Sequence, residues 1–189
     1  MDIGQGAGLS GASGVRPFLP ALLAGALARE DTGLDFDGTS FSFLESPWFL
    51  ALVLALAVVA YAVQRRGISV LLDRALLVLG VVLGALLFAG SLADEGYTSW
   101  PGLIGGAACA ALGYFALALL FSRARRRVRD SGGAVALLDT YLDGIALLVA
   151  GLSILFPPLA FVALAAFLVL IVRSRGEGAQ KYEGLRSLR

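Results

Sequence analysis

Few residues in this chain combine a reactive or charged group with a position inside an apolar segment. Arg16 lies ten residues after Gly6, in the stretch GLSGASGVRPFLP. At about 1.5 Å per residue, a helix that starts at Gly6 carries Arg16 roughly 15 Å into a hydrocarbon layer about 30 Å thick. A charge at that depth needs a partner or water, because isolation there costs at least ~2.5 kcal/mol. The alternative is that residues 6–15 do not span and that Arg16 reaches the membrane surface.

The candidate partner of this arginine lies in the stretch LLDTYLDGIALL. Asp139 and Asp143 are four residues apart and therefore share one face of a helix. Asp143 lies ten residues after Gly133, so its depth matches that of Arg16, and we expect the two side chains to be direct or water-mediated partners. Such a pair is either structural or part of a substrate or proton site. Asp139 and Asp73 are the next candidates to face Arg16.

Glycine, serine and proline dominate the stretch around the arginine. Pro17 and Pro20 lack a backbone donor and disturb the preceding turn, while Gly11, Ser13 and Gly14 allow an unwound segment. Broken backbone at membrane depth is tolerated where it is buried in protein or lines a cavity, and interrupted helices recur at transporter binding sites. The residues predicted to bind a small solute or an ion are Ser10, Ser13, Gly14, Arg16, Asp139 and Asp143.

The composition is typical of an integral membrane protein. Of 189 residues, 58% are hydrophobic and 15% are charged, whereas about 25% are charged in soluble domains. The sequence has no histidine and a single cysteine, Cys109, so it lacks the usual general base, the commonest metal ligand and any internal disulfide. We therefore expect no enzymatic activity, no metal site and no cofactor. The net charge of +1 gives no indication of nucleic-acid binding.

The apolar segments predict an all-α integral membrane protein with about six transmembrane helices in three hairpins. Five spans cover roughly residues 6–28, 47–64, 68–91, 101–122 and 133–156, and a sixth descends from the turn at Pro157 and Pro158 to Val172. The first helix is expected to be broken between Gly11 and Pro20. Residues 1–175 form one transmembrane domain in this interpretation, and residues 176–189 form a basic cytoplasmic tail.

Charge is segregated between the two sides of the predicted layout. Thirteen of the 15 cationic residues fall on one side, and seven of the 14 acidic residues fall in two loops on the other. By the positive-inside rule, both termini are then cytoplasmic and the loop 29–45 is external. Trp48 and Trp100 begin returning helices at the external interface, as expected of an aromatic belt. Asp73 and Arg74 are expected to form an interfacial ion pair.

Small residues at four-residue spacing predict close helix packing in the membrane. Gly80 and Gly84 form such a stripe on the third span, and Gly105, Cys109 and Gly113 form another on the fourth. The helix that packs against each stripe belongs either to the same chain or to a second copy, so a homo-oligomer is one of the two alternatives.

Three stretches, GLSGASGVRPFLPALLAGALA, SPWFL and the terminal KYEGLRSLR, resemble a bacterial family of small polytopic membrane proteins of unknown function. The resemblance implies a multi-pass protein of the bacterial inner membrane and gives weight to residues 12–20, and it implies no activity. The favoured function is a transporter or channel subunit for a small solute or ion, surrounded by membrane lipid. The alternative is a structural or accessory protein that scaffolds a partner or binds anionic lipid.

Overall fold

The computed structural model describes residues 2–65, 70–127 and 132–186. Within these ranges all regular secondary structure is helical. The helices are α1 (Asp2–Val15), α2 (Phe18–Ala28), α3 (Pro47–Arg65), α4 (Val70–Asp94), α5 (Trp100–Arg127), α6 (Gly132–Leu155) and α7 (Pro157–Arg186), with a 3₁₀ helix at Ser42–Glu45. The predicted all-α class is therefore confirmed for this part of the chain.

Three helices are long and apolar enough to cross a membrane, counting only residues that the structure describes. Their spans are Pro47–Gln64, Leu72–Asp94 and Trp100–Ala118, and shorter apolar helical segments cover Phe18–Ala28, Thr140–Leu155 and Pro157–Arg173. Only 6% of the span in α3 is buried inside the protein. An apolar helix with so little protein around it matches a surface that lipid covers.

Sequence signals for helix starts agree with the observed ends. The Ser46 hydroxyl accepts a hydrogen bond from the Phe49 N–H at 3.2 Å, and Pro47 takes the first position of α3, where a missing N–H does no harm. Helices α6 and α7 are separated by Phe156 alone, and Pro157 begins α7. α7 continues to Arg186, so the backbone of residues 176–186, predicted as a tail, is helical.

Seven of the 14 acidic residues lie in or directly beside the loops at one end of the bundle. The backbone N–H of Asp35 donates to the Asp94 carboxylate at 3.4 Å, and Gly33 lies against Ile154 at the end of α6. The loop 29–46, residues 95–99 and Phe156 thus lie together, and we call this the acidic end. Helices α3 and α5 finish, and α4 and α6 begin, at the opposite or basic end.

Helices α1 and α2 form a re-entrant hairpin (residues 2–28) that enters and leaves the bundle at the acidic end. The Gln5 side-chain amide donates to the Gly33 carbonyl at 2.5 Å, across 28 residues of sequence. A straight helix of that length would hold them roughly 42 Å apart. With 14 and 11 residues, α1 and α2 measure roughly 21 and 16 Å, which is too short to cross a hydrocarbon layer of about 30 Å. The predicted first span over residues 6–28 is therefore wrong. The predicted break is present, but it is confined to Arg16 and Pro17, and the stretch from Gly11 to Val15, part of which was predicted to unwind, is helical.

The direction of α1 places the N-terminal end of the described chain at the acidic end of the bundle, in contrast to the predicted layout. Gly4 lies against the Pro157 carbonyl at the start of α7, and α7 runs 30 residues away from that point. The two ends of the described chain, residues 2 and 186, are therefore at opposite ends of the bundle, which differs from the predicted layout with both termini on one side. The reason is that hydropathy and helix-start signals give the depth of a segment, whereas they do not distinguish a helix that crosses from one that turns back.

Helix α1 is the centre of the bundle. Residues 4–14 are all buried, and α1 packs against α4, α5, α6 and α7. Apart from Gln5 and Leu9, these residues are glycine, alanine or serine, which lets four neighbouring backbones approach closely. The half of the bundle toward the acidic end is thereby filled by protein.

Candidate functional site

The break between α1 and α2 has a direct cause in the sequence. The Arg16 N–H donates to the Ala12 carbonyl at 3.0 Å and closes the last turn of α1. Pro17 follows and has no N–H to donate to the Ser13 carbonyl, so the helix cannot continue unbroken. α2 then starts at Phe18. The chain reverses where Arg16 and Pro17 form the tip of the re-entrant hairpin.

Arg16 forms an ion pair with Asp143 of α6. The Nε atom of Arg16 lies 2.6 Å from Oδ1 of Asp143, and the two side chains are 17% and 42% exposed. Arg16 is eleven residues from Gln5 at the acidic end, and Asp143 is eleven residues from the start of α6 at the basic end. The two residues lie equal numbers of residues from opposite ends of the bundle, so their side chains meet near its middle. This agrees with the equal depths predicted for Arg16 and Asp143 from the sequence.

Two cavities, of about 240 and 290 Å³, flank the tip of the re-entrant hairpin. Arg16, Pro17, Gln64 and Leu76 line both of them, so the tip forms part of the wall between the two. Both extend toward the basic end, where α3 finishes and α4 begins. The packed residues of α1 close the site on the acidic side. Volumes of this size suit a small solute or a partly hydrated ion and are below those of drug-sized ligand sites.

Three polar side chains of the smaller cavity, which we call the Asp73 cavity, were not among the predicted site residues. Gln64, Asp73 and Tyr114 line it together with Arg16. For these three side chains the structure describes no hydrogen bond or ion pair among residues 2–65, 70–127 and 132–186. The expected pair between Asp73 and Arg74 is likewise not formed there, because consecutive residues of a helix point in different directions. The Asp73 cavity therefore offers hydrogen-bonding groups that the surrounding protein does not use.

The predicted site residues fall into three groups. Gly14, Arg16 and Asp143 line the cavities. Ser10 and Ser13 are fully buried and line neither cavity. The backbone of Asp139 belongs to α6, and its side chain lies outside the described part of the structure.

The two serine hydroxyls take part in helix packing. Ser10 donates to the Gly6 carbonyl at 2.8 Å and to the Gly84 carbonyl of α4 at 2.6 Å. Ser13 donates to the Leu9 carbonyl at 2.9 Å. Hydroxyl groups satisfied by carbonyls of their own and a neighbouring helix stabilise a membrane bundle.

The predicted packing stripes face helices of the same chain. An added Cβ at Gly80 would lie 2.8 Å from the Ser13 carbonyl oxygen, and one at Gly113 would meet the Gly11 carbonyl oxygen. Of the other three residues, Gly84 lies against Ser10 and Ala110, Gly105 lies against the Phe88 ring, and Cys109 packs in the cluster around Phe88. The re-entrant hairpin supplies most of these contacts.

A group of acidic side chains lies in the loop at the acidic end, far from the cavities. Carboxylate oxygens of Asp35, Asp37 and Glu45 lie within 4.8 Å of one another. Partial burial, together with a hydrogen bond and repulsion from Asp37 and repulsion from Asp35, raises the pKa of the Glu45 carboxyl. The folded loop therefore binds a proton at Glu45 more tightly than the unfolded chain does.

This pKa shift predicts that acid stabilises the loop. A raised folded-state pKa gives a contribution to stability that is complete below the ordinary pKa of glutamate and is lost as the pH rises through the raised value. We expect the thermal unfolding midpoint in detergent to fall as the pH rises above the ordinary pKa of glutamate and through the raised pKa of Glu45. Glu45→Gln should flatten this dependence, whereas Glu30→Gln, at an exposed residue of the same loop, should leave it unchanged. Equal slopes in the two variants would contradict the assignment to Glu45.

Comparison with known proteins gives a family and no activity. A family model described as a domain of unknown function, DUF4126, matches residues 3–176, which cover both the re-entrant hairpin and the cavities. No curated protein and no solved structure was found to match the chain.

Proposed function

We propose that this chain, which belongs to the DUF4126 family of unknown function, forms a transporter or channel subunit for a small solute or ion in the bacterial inner membrane. The observation that carries the proposal is the tip of the re-entrant hairpin. It holds the Arg16–Asp143 ion pair between two cavities near the middle of an apolar bundle. Non-helical backbone and charge at membrane depth are kept where they line a pathway.

The proposed arrangement in the membrane has five crossing helices, α3 to α7, and the re-entrant hairpin. Each of the five has at least 19 residues, or roughly 28 Å of helix. Most cationic residues lie at the basic end, which we assign to the cytoplasm by the positive-inside rule. The acidic end with the N-terminus is then external, and the cavities open toward the cytoplasm.

Cysteine labelling tests this arrangement. In a Cys109→Ser background, Ile3→Cys and Thr39→Cys should both react with an impermeant maleimide added to intact cells, because both positions lie at the acidic end. Arg173→Cys, in the distal part of α7, should react only after permeabilisation. Labelling of Ile3→Cys and Thr39→Cys from opposite sides would show that the first helix crosses the membrane and would contradict the hairpin.

Transport is tested with purified protein in liposomes. Vesicles are shrunk osmotically with urea, glycerol, potassium chloride or methylammonium chloride, and the recovery of their volume is followed by light scattering. The proposal expects faster recovery than in empty vesicles for at least one of these solutes. Vesicles containing an Arg16→Ala, Asp143→Ala double variant are the matched control and should behave as empty ones. Recovery indistinguishable from empty vesicles for every solute would reject the transport role.

The second candidate function is a structural or accessory membrane protein, and the ion pair itself favours it. A contact between Arg16 and Asp143 fixes the re-entrant hairpin to α6 whether or not the protein transports a solute or ion. The basic C-terminal segment suits binding of a partner protein or of anionic lipid. The two candidates differ in one result. A stable Arg16→Ala, Asp143→Ala double variant keeps the function of the protein if the ion pair is only structural. It loses that function if the ion pair lines a transport pathway.

A further inference from the structure

The Asp73 cavity carries more information about its ligand than the ion pair does. Arg16 is positioned by Asp143 at 2.6 Å, so the positive charge at the tip is matched by a carboxylate. Among the described residues that line the Asp73 cavity, the remaining charge is the carboxylate of Asp73. Because Asp143, which lines the other cavity, neutralises Arg16, the carboxylate of Asp73 is an unmatched negative charge in this lining when these groups are ionised.

The neutral groups around Asp73 complete a polar surface. The Gln64 side chain offers an amide oxygen and an amide nitrogen, and the Tyr114 hydroxyl both donates and accepts hydrogen bonds. They project from α3 and α5 and line the same space as Asp73 of α4. Oxygen atoms from three helices thus surround a cavity of about 240 Å³. Carboxylate, amide and hydroxyl oxygens are the groups that bind alkali cations and small ammonium groups.

We propose that the Asp73 cavity binds a small monovalent cation, either a metal ion or a primary ammonium compound. Asp73 supplies the charge, and the oxygens of Gln64 and Tyr114 supply hydrogen bonds or replace water ligands. This inference rests on the proposed transport role and names the ligand class of that same site. An anion is disfavoured because Asp73 would repel it while Arg16 is paired.

Binding is tested by thermal unfolding of the full-length protein in detergent, with methylammonium chloride and potassium chloride as probes at constant chloride concentration and with bulky N-methylglucamine as the balancing cation. We expect a saturable rise of about 3–6 °C in the unfolding midpoint at ten times Kd for at least one of the two probes. Asp73→Asn should weaken binding at least tenfold. Asp37→Asn, at the acidic end, is the matched control and should bind as the wild type does.

A variant with the opposite effect keeps the test decisive if Asp73→Asn does not fold. Gln64→Glu adds a second carboxylate to the same wall and should strengthen binding of the probe cation several-fold. Stabilisation by formate instead of by the cations would overturn the proposal, and so would cation binding that Asp73→Asn and Gln64→Glu both leave unchanged.

The two proposals fail in different ways. Cation binding that depends on Asp73, without any flux in liposomes, would keep the site and reject transport. Flux in liposomes without cation binding at Asp73 would keep transport and reject the cation site.

Discussion

Arg16→Ala and Asp143→Ala are each expected to lower the unfolding midpoint of the protein in detergent by about 4–8 °C, and the double variant is expected to recover part of that loss. Each single change leaves one charge of the 2.6 Å pair without its partner inside the bundle. Breaking a fully buried pair costs about 3–5 kcal/mol, and the partial exposure of Asp143 reduces this to about 2 kcal/mol, which corresponds to the stated shift for a chain of this size.

The control for this cycle is an arginine for which the described part of the structure shows no such contact. Arg74 is exposed near the start of α4, and Arg74→Ala should change the midpoint by less than about 2 °C. Additive losses in the Arg16 and Asp143 double variant would show that the two side chains act independently. The same variants report on function, because the liposome experiment compares them with the wild type.

Gly113→Leu is expected to have the larger effect and to prevent assembly of a compact bundle. A side chain at this position meets the backbone carbonyl of Gly11, and backbone cannot move aside without separating α1 from α5. Overpacking at a side-chain contact costs about 1–3 kcal/mol, and a clash with backbone exceeds that range. The measurement is the fraction of purified protein that elutes as a single species and its unfolding midpoint.

Leucine substitutions at two other glycines provide a comparison for the effect of Gly113→Leu on the unfolding midpoint. Gly105→Leu meets the Phe88 ring at about 3.0 Å from the added Cβ, and a ring can turn, so its effect should be intermediate. Gly144→Leu, on α6, meets nothing within 4 Å and should leave the midpoint nearly unchanged. The same loss in Gly113→Leu and Gly144→Leu would contradict the assignment of the loss to the contact between Gly113 and Gly11, because leucine has a higher helix propensity than glycine.

The contact between Arg16 and Asp143 was predictable because depth can be counted along a helix. Counting residues from Gly6 gives the depth of Arg16 for a helix that enters from the basic side, whereas α1 enters from the acidic side. The predicted contact is nevertheless correct, because the middle of a bilayer is equally far from both surfaces. Depth is thus encoded in the sequence, and the side of entry is not.

The residue composition of α1 indicates that the helix is enclosed by protein, which its hydropathy alone does not. α2 has the sequence FLPALLAGALA, which is apolar throughout, whereas α1 has five glycines, two serines and a single leucine. A helix that faced lipid would need larger apolar side chains, so this composition indicates a helix enclosed by protein. Treating residues 6–28 as one segment averaged these two patterns.

The polar lining of the Asp73 cavity was harder to predict. Gln64 is next to the last residue of α3 and Asp73 is in the first turn of α4, where polar residues ordinarily meet water or lipid headgroups. Their common cavity is lined by residues of α3, α4 and α5 together with the tip of the re-entrant hairpin. That arrangement is a tertiary property, and spacing within any one helix does not contain it.

The central position of α1 has a consequence for biogenesis. The helices α4 to α7, which enclose α1, all follow it in the chain and are therefore synthesised after it. A half-length helix rich in glycine cannot remain stably in lipid alone, since its backbone would be poorly shielded and its length insufficient. We therefore expect α1 to take its place only after α4 to α7 have assembled around the space that it fills.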